Sequence, residues 1–168
     1  MPMTPFMERF PALGARETRS LSVTNHQDLP DGEYAFVEFY CNEPGCDCRR
    51  VTIQVLRPET GRSKIWATMS YGWDSLDFYQ KWGPHSDPVE MKGPTLDTLN
   101  PQSQYSPALL DLFRLLIQSP DYVERLKRHY RMFRDSVEQG RGSADGLKGF
   151  RGPSKRKRLR DLKRRSRQ

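Results

Sequence analysis

A chain of 168 residues, 35% apolar and with a mean hydropathy of −0.84, has material for one modest domain with appendages, its core drawing on 8 Phe, 7 Tyr and 3 Trp. The most apolar run, residues 109–117, is broken by Asp111 and Arg114, which excludes a membrane span there, and the first eight residues lack the basic start and apolar stretch of a secretory signal. The net charge of +7 is unevenly divided: residues 141–168 hold 12 basic and 2 acidic side chains, net +10, and the remaining 140 residues are net −3. A cytoplasmic protein with reduced thiols is expected.

Three prolines and no periodicity predict an irregular arm over residues 1–15, with Phe6, Phe10 and Leu13 available to tuck onto the body. Leu21 and Val23 suggest an edge strand within 16–24, and Pro30-Asp31-Gly32 a turn. Residues 34–41 then alternate, with Ala35, Val37, Phe39 and Cys41 on one face and Tyr34, Phe36, Glu38 and Tyr40 on the other. Val51, Ile53 and Val55 define a second strand; Ile65, Ala67, Met69 and Tyr71 define a third. Short connections between them argue for an antiparallel meander of three or four strands.

Past Gly72 the period changes. Asp74 can cap a short helix over 75–82, ended by Gly83-Pro84, and a long Pro-rich connection covers 83–105. Ser106-Pro107 and Ser119-Pro120 each open a helix, the second carrying the stripe Val123, Leu126, Tyr130, Phe133 and Val137 and stopping near Gly140. The fold class implied is α+β: an antiparallel sheet with about three helices on one face, spanning 16–140, followed by a disordered basic tail over 141–168.

All three cysteines fall in Cys41-x4-Cys46-x-Cys48, between the first two long strands, with Pro44-Gly45 turning the chain among them. Thiolates brought together at such a turn repel unless a cation lies between them, and zinc accepts three or four tetrahedrally. Arg49 and Arg50 add positive potential that would favour thiolate. The fourth ligand expected is His129, on a rigid helix; His85, Asp47 or water would also complete the site. His26 lies at the far end of its strand, roughly 23 Å away at the usual rise per residue. The same cysteines would alternatively serve as inert thiols, Cys41 extending the 35-37-39 face, or as redox or catalytic groups.

In the tail, Lys155, Arg156, Lys157, Arg158, Arg160, Lys163, Arg164, Arg165 and Arg167 form a block suited to neutralising phosphates, which points to RNA or the ribosome ahead of DNA or an anionic membrane surface. Trp66, with Thr68, Gln54 and Arg50 on the expected outer sheet face, would stack a base unless something covers it.

The segments Gly32-Glu33-Tyr34-Ala35-Phe36-Val37-Glu38-Phe39-Tyr40-Cys41, Cys46-Asp47-Cys48-Arg49-Arg50 and Asn100-Pro101-Gln102-Ser103 resemble a prokaryotic domain family of unknown function, loosely related to chains with zinc motifs of the SEC-C type. The chain departs from the SEC-C pattern, since no paired Cys-Cys or Cys-His follows Cys46-x-Cys48. The resemblance implies a metal-binding accessory protein and no activity. Three functions are consistent with the sequence. One is a non-enzymatic, zinc-stabilised protein that binds RNA or the ribosome through its tail. Another is a metal- or thiol-dependent enzyme using the cysteine cluster. The third is a protein–protein module presenting the Pro-rich connection.

Overall fold

The first elements of the chain are ones its early prolines conceal. β1 (Met3–Pro5), α1 (Phe6–Arg9) and α2 (Pro11–Glu17) replace the expected irregular arm, and β2 (Arg19–Val23) follows as an edge strand. Pro11 stands in the first turn of α2, where a backbone N–H would have no helical partner, so it starts the helix without breaking it. The computed structural model describes residues 2–148, with side chains as far as residue 140; Lys155 to Arg167 lie outside the described residues.

Next come the long strands β3 (Gly32–Cys41), β4 (Arg50–Glu59) and β5 (Arg62–Gly72), paired antiparallel in sequence as the alternation predicts. β1 and β2 share the outer edge of β3, β1 pairing with residues 39–41 and β2 with 32–36. α3 (Leu76–Trp82) is capped by Ser75, whose hydroxyl accepts from the Phe78 N–H; Asp74, the expected cap, accepts instead from the Ser75 N–H. Within the Pro-rich connection, α4 (Pro88–Lys92) and β6 (Thr95–Leu96) emerge, β6 pairing with β5. α5 (Ser106–Leu116) and α6 (Pro120–Lys148) complete six strands and six helices among the described residues, more than the expected three or four strands and three helices.

Two other expectations are corrected here. α6 runs through Gly140 to Lys148, because a single exposed glycine costs a helix only about 1 kcal/mol and needs a further signal to end it. The Pro-rich connection over 83–105 contains α4 and β6 and is held against β5. Asp97 N–H donates to the Thr68 carbonyl, Gln102 Nε2 donates to the same carbonyl at 2.6 Å, and Ser103 N–H donates to the Trp66 carbonyl. Its polar groups are thus spent along the edge of β5. Trp66 is buried (6% exposed), stacked on Tyr105 with ring centres 4.7 Å apart, so it offers no base-stacking surface.

The helices cover the Phe36, Glu38 and Tyr40 face of β3, where Phe36 and Glu38 are in register with Val55 and Ile53 of β4. Phe36 stacks on Phe113 of α5, and the Tyr40 hydroxyl donates both to Glu38 and to the Leu126 carbonyl of α6. α1 closes one end: buried Phe6 stacks on His129 (4.1 Å between ring centres) and on Phe10 (4.9 Å). Phe6→Ala should therefore cost about 3–5 kcal/mol, the usual loss for a buried aromatic truncation. Urea unfolding reads it; a midpoint within error of the parent would mean that the N-terminal elements are not integral to the core.

Candidate metal centre

The turn between β3 and β4 is shaped by its own residues and then gripped by α6. Gly45 takes φ 74, the left-handed conformation that glycine adopts at no steric cost, and lets the chain double back. Its N–H donates to Glu138 Oε1 at 2.7 Å. Arg134 donates to that same oxygen through Nη2 (2.7 Å) and to the Cys41 carbonyl through Nη1 (2.8 Å). The Arg49 N–H donates to the Tyr130 hydroxyl, which donates onward to Asp47. Tyr130, Arg134 and Glu138 stand four residues apart, so one face of α6 meets the whole turn.

Arg49, just past the last cysteine, also lies in the left-handed region (φ 48), which is uncommon for a side-chain-bearing residue. It is held there from every side. Its carbonyl accepts from the Tyr79 hydroxyl (2.8 Å), its guanidinium pairs with Asp47 and Asp74, and the same group stacks over Phe78. Gly72 leaves room for that Tyr79 hydroxyl, since a Cβ at Gly72 would lie 2.2 Å from it.

The result is a cluster of three thiols. Cys41 and Cys48 are buried (0% and 1% exposed), Cys46 is half-buried, none forms a disulfide, and the three sulfurs lie within 4.8 Å of one another. Tetrahedral zinc–thiolate bonds of about 2.3 Å place sulfurs roughly 3.8 Å apart, so closing on an ion takes small side-chain adjustments. Three cysteines in this arrangement could hold a metal ion.

The positive potential expected to favour thiolate is outweighed. Burial, then the neighbouring Cys48 and Cys41, push the Cys46 thiol up to about 12; burial and Cys41 push Cys48 up as well. Arg49 turns its charge to Asp47 and Asp74, and only Arg50 acts on Cys48, most directly through its backbone N–H. Without a cation these groups are protonated at neutral pH, unlike an activated nucleophile.

The structure brings Cys41, Cys46 and Cys48 together and places His129 elsewhere. His129 is buried between Glu38 (Nδ1 to Oε2, 2.7 Å) and Glu17 (Nε2 to Oε2, 2.7 Å), with both ring nitrogens occupied. Burial opposes charge on Glu17, but hydrogen bonding from His129 and the charge of Arg128 hold its carboxyl below the usual range. His26 accepts the Asp28 N–H within its own turn. His85 is exposed on the wall of a cavity of about 700 Å³ that Cys48 also lines. Asp47 is tied to Arg49 and Tyr130. The nine basic tail residues lie outside the described residues.

The sequence reading missed Tyr130, Arg134, Glu138 and Tyr79. Spacing by four from Tyr130 to Glu138 was visible, but nothing local said what that face would meet. No helix among the described residues is long and apolar enough to cross a membrane. A scan against protein-family models and searches of curated proteins and of solved structures found no match to this chain.

The raised thiols set a sign for pH. A folded-state thiol pKa of about 12 lies above the ordinary value near 8.5, so the metal-free fold binds protons more tightly than the unfolded chain between these limits. Its stability should fall as pH rises from about 9 towards 12. Metal-loaded protein, whose sulfurs are already deprotonated, should lose less over that window. Parallel pH series of melting temperature for the two forms measure the difference; identical slopes would mean that the thiols do not titrate as described.

Proposed function

We propose that the chain is a non-enzymatic accessory protein whose β3–β4 turn is closed by one zinc ion, and whose basic C-terminal segment binds RNA or the ribosome. The observation that carries the metal reading is the gathering of Cys41, Cys46 and Cys48 within 4.8 Å in a turn pinned by α6. Zinc suits this set because three sulfur donors in a reducing compartment select a soft or borderline, redox-inert ion. A metal here ties β3, β4 and, through the turn, α6 into one unit. The charge division supports the second half of the reading: net +10 over residues 141–168 against net −3 for the rest.

Protein purified without tags should carry about one zinc per chain by elemental analysis. Chelation, or Cys46→Ser, should lower the melting temperature by about 10 °C, the shift corresponding to roughly 4 kcal/mol of linkage at a thousandfold excess of metal over its Kd. Metal-free protein with three freely titrating native thiols, melting as before, would remove the zinc.

RNA binding is read by salt dependence. With nine tail cations engaged, log K against log salt should fall with a slope near −6, at about −0.7 per single-strand phosphate contact. Changing Lys155, Arg156, Lys157, Arg158, Arg160, Lys163, Arg164, Arg165 and Arg167 to Gln in the full chain should abolish most of that slope. Undiminished RNA recovery from the neutralised chain would refute a tail-borne interface.

A metal-dependent enzyme is the second reading, favoured by one feature: Glu43 and Cys46 line a groove of about 570 Å³, which places a carboxylate near the cluster. A thiol enzyme is disfavoured by the upward displacement of Cys46 and Cys48.

A further inference from the structure

Two of the three cysteines border open space, although Cys48 is only 1% exposed. Cys48 is part of the wall of the 700 Å³ cavity, between the outer face of β4–β5 and the segment carrying α4 and β6, and Cys46 borders the adjoining groove. Ser86 and Met91 line both spaces. Arg50 reaches into the same cavity from the outer sheet face, with Ser70 accepting from Nη2 (2.9 Å) and the Met91 sulfur lying 3.5 Å from Nη1. No carboxylate forms an ion pair with this guanidinium among the described residues, while Arg49 next to it has two. Burial works against the Arg50 charge, and Cys48, Asp97 and Glu90 work for it.

Resting on the metal reading of the three cysteines, we propose that the ion's fourth coordination position faces this cavity and takes an exchangeable small anionic ligand, with Arg50 balancing its charge. Three thiolates and a divalent ion sum to −1, and a fourth anion makes −2. That excess requires a nearby cation, and Arg50, two residues from Cys48 and turned towards the same space, supplies it. The exchange is a simple substitution: water leaves the metal as the anion's donor atom bonds to it, with no change of oxidation state. Asp87, Glu90 and Asp97 line the same cavity. Asp87 and Asp97 use carboxylate oxygens to accept from Val89, Leu99 and Asn100, which fixes them as a negative rim. Such a rim rejects polyanions and admits a monoanion or a zwitterion whose cationic end meets the carboxylates. The ligand class is therefore distinct from whatever the basic tail binds.

Cobalt(II) loaded into the full-length chain tests this, because its visible absorption reports the ligand set. Added azide should shift the cobalt bands saturably. Arg50→Met should raise the azide concentration needed by about tenfold, the loss of one charge-assisted contact, and Arg50→Lys should restore part of it. Melting curves of both variants with cobalt establish that they fold. His85→Ala should leave the azide-free spectrum unchanged. Bands that ignore azide, or that change with His85→Ala alone, would show a closed four-ligand site and overturn the proposal while leaving the metal in place. Failure to bind cobalt at all would overturn both readings.

Discussion

The contact between α6 and the cysteine turn is the constraint on which the site depends. Arg134 is buried, 8% exposed, and a buried guanidinium is tolerated only when its donors are matched. Here they meet Glu138 and the Cys41 carbonyl, while Glu138 simultaneously accepts the Gly45 N–H. One ion pair thus satisfies the helix and the turn together. Tyr130 adds a third point by bridging Arg49 and Asp47. Because those partners lie on both sides of the cysteines, the conformation that brings the three sulfurs together is imposed from outside the turn as well as by Gly45 within it.

A second clamp on the same helix explains why His129 is not at the cluster. Consecutive helical residues point about 100° apart, so His129 and Tyr130 cannot serve one target. Tyr130 meets the turn, and His129 faces the middle of β3, where Glu38 waits, with Glu17 of α2 on its other side. Each ring nitrogen thus lies within hydrogen-bond distance of a carboxylate oxygen, one from β3 and one from α2. With Phe6 stacked on the ring, this group joins α1, α2, β3 and α6. It accounts for the N-terminal elements having fixed positions despite their slight intrinsic propensity.

The chemistry of the cluster follows from competition between burial and charge. The adjacent arginines would lower thiol pKa values if their charges were aimed at sulfur, but Arg49 is absorbed by two aspartates and burial dominates at Cys46 and Cys48. Such a site could hold a metal ion, which would replace protons and remove the repulsion between sulfurs. Cys48 lines the cavity together with Arg50, Asp87, Glu90 and Asp97.

Much of this was legible in the residues. Period-two alternation from Tyr34 to Tyr71 set out the three long strands, since each side chain's face follows from the pleat alone, and the three-and-four spacing of Leu126, Tyr130, Phe133 and Val137 set out α6. The clustering of all three cysteines around Pro44-Gly45 marked the site for the same reason: it depends only on near neighbours in sequence. Tertiary structure decided what depends on distant partners. β1 and β6 exist because β3 and β5 offer edges to pair with; Gln102 matters because Thr68 presents a carbonyl. His129 is committed to Glu17 and Glu38, more than 90 residues away in the chain. Which face of a helix meets which turn is settled by packing the whole core at once, and no local pattern of side chains carries that information.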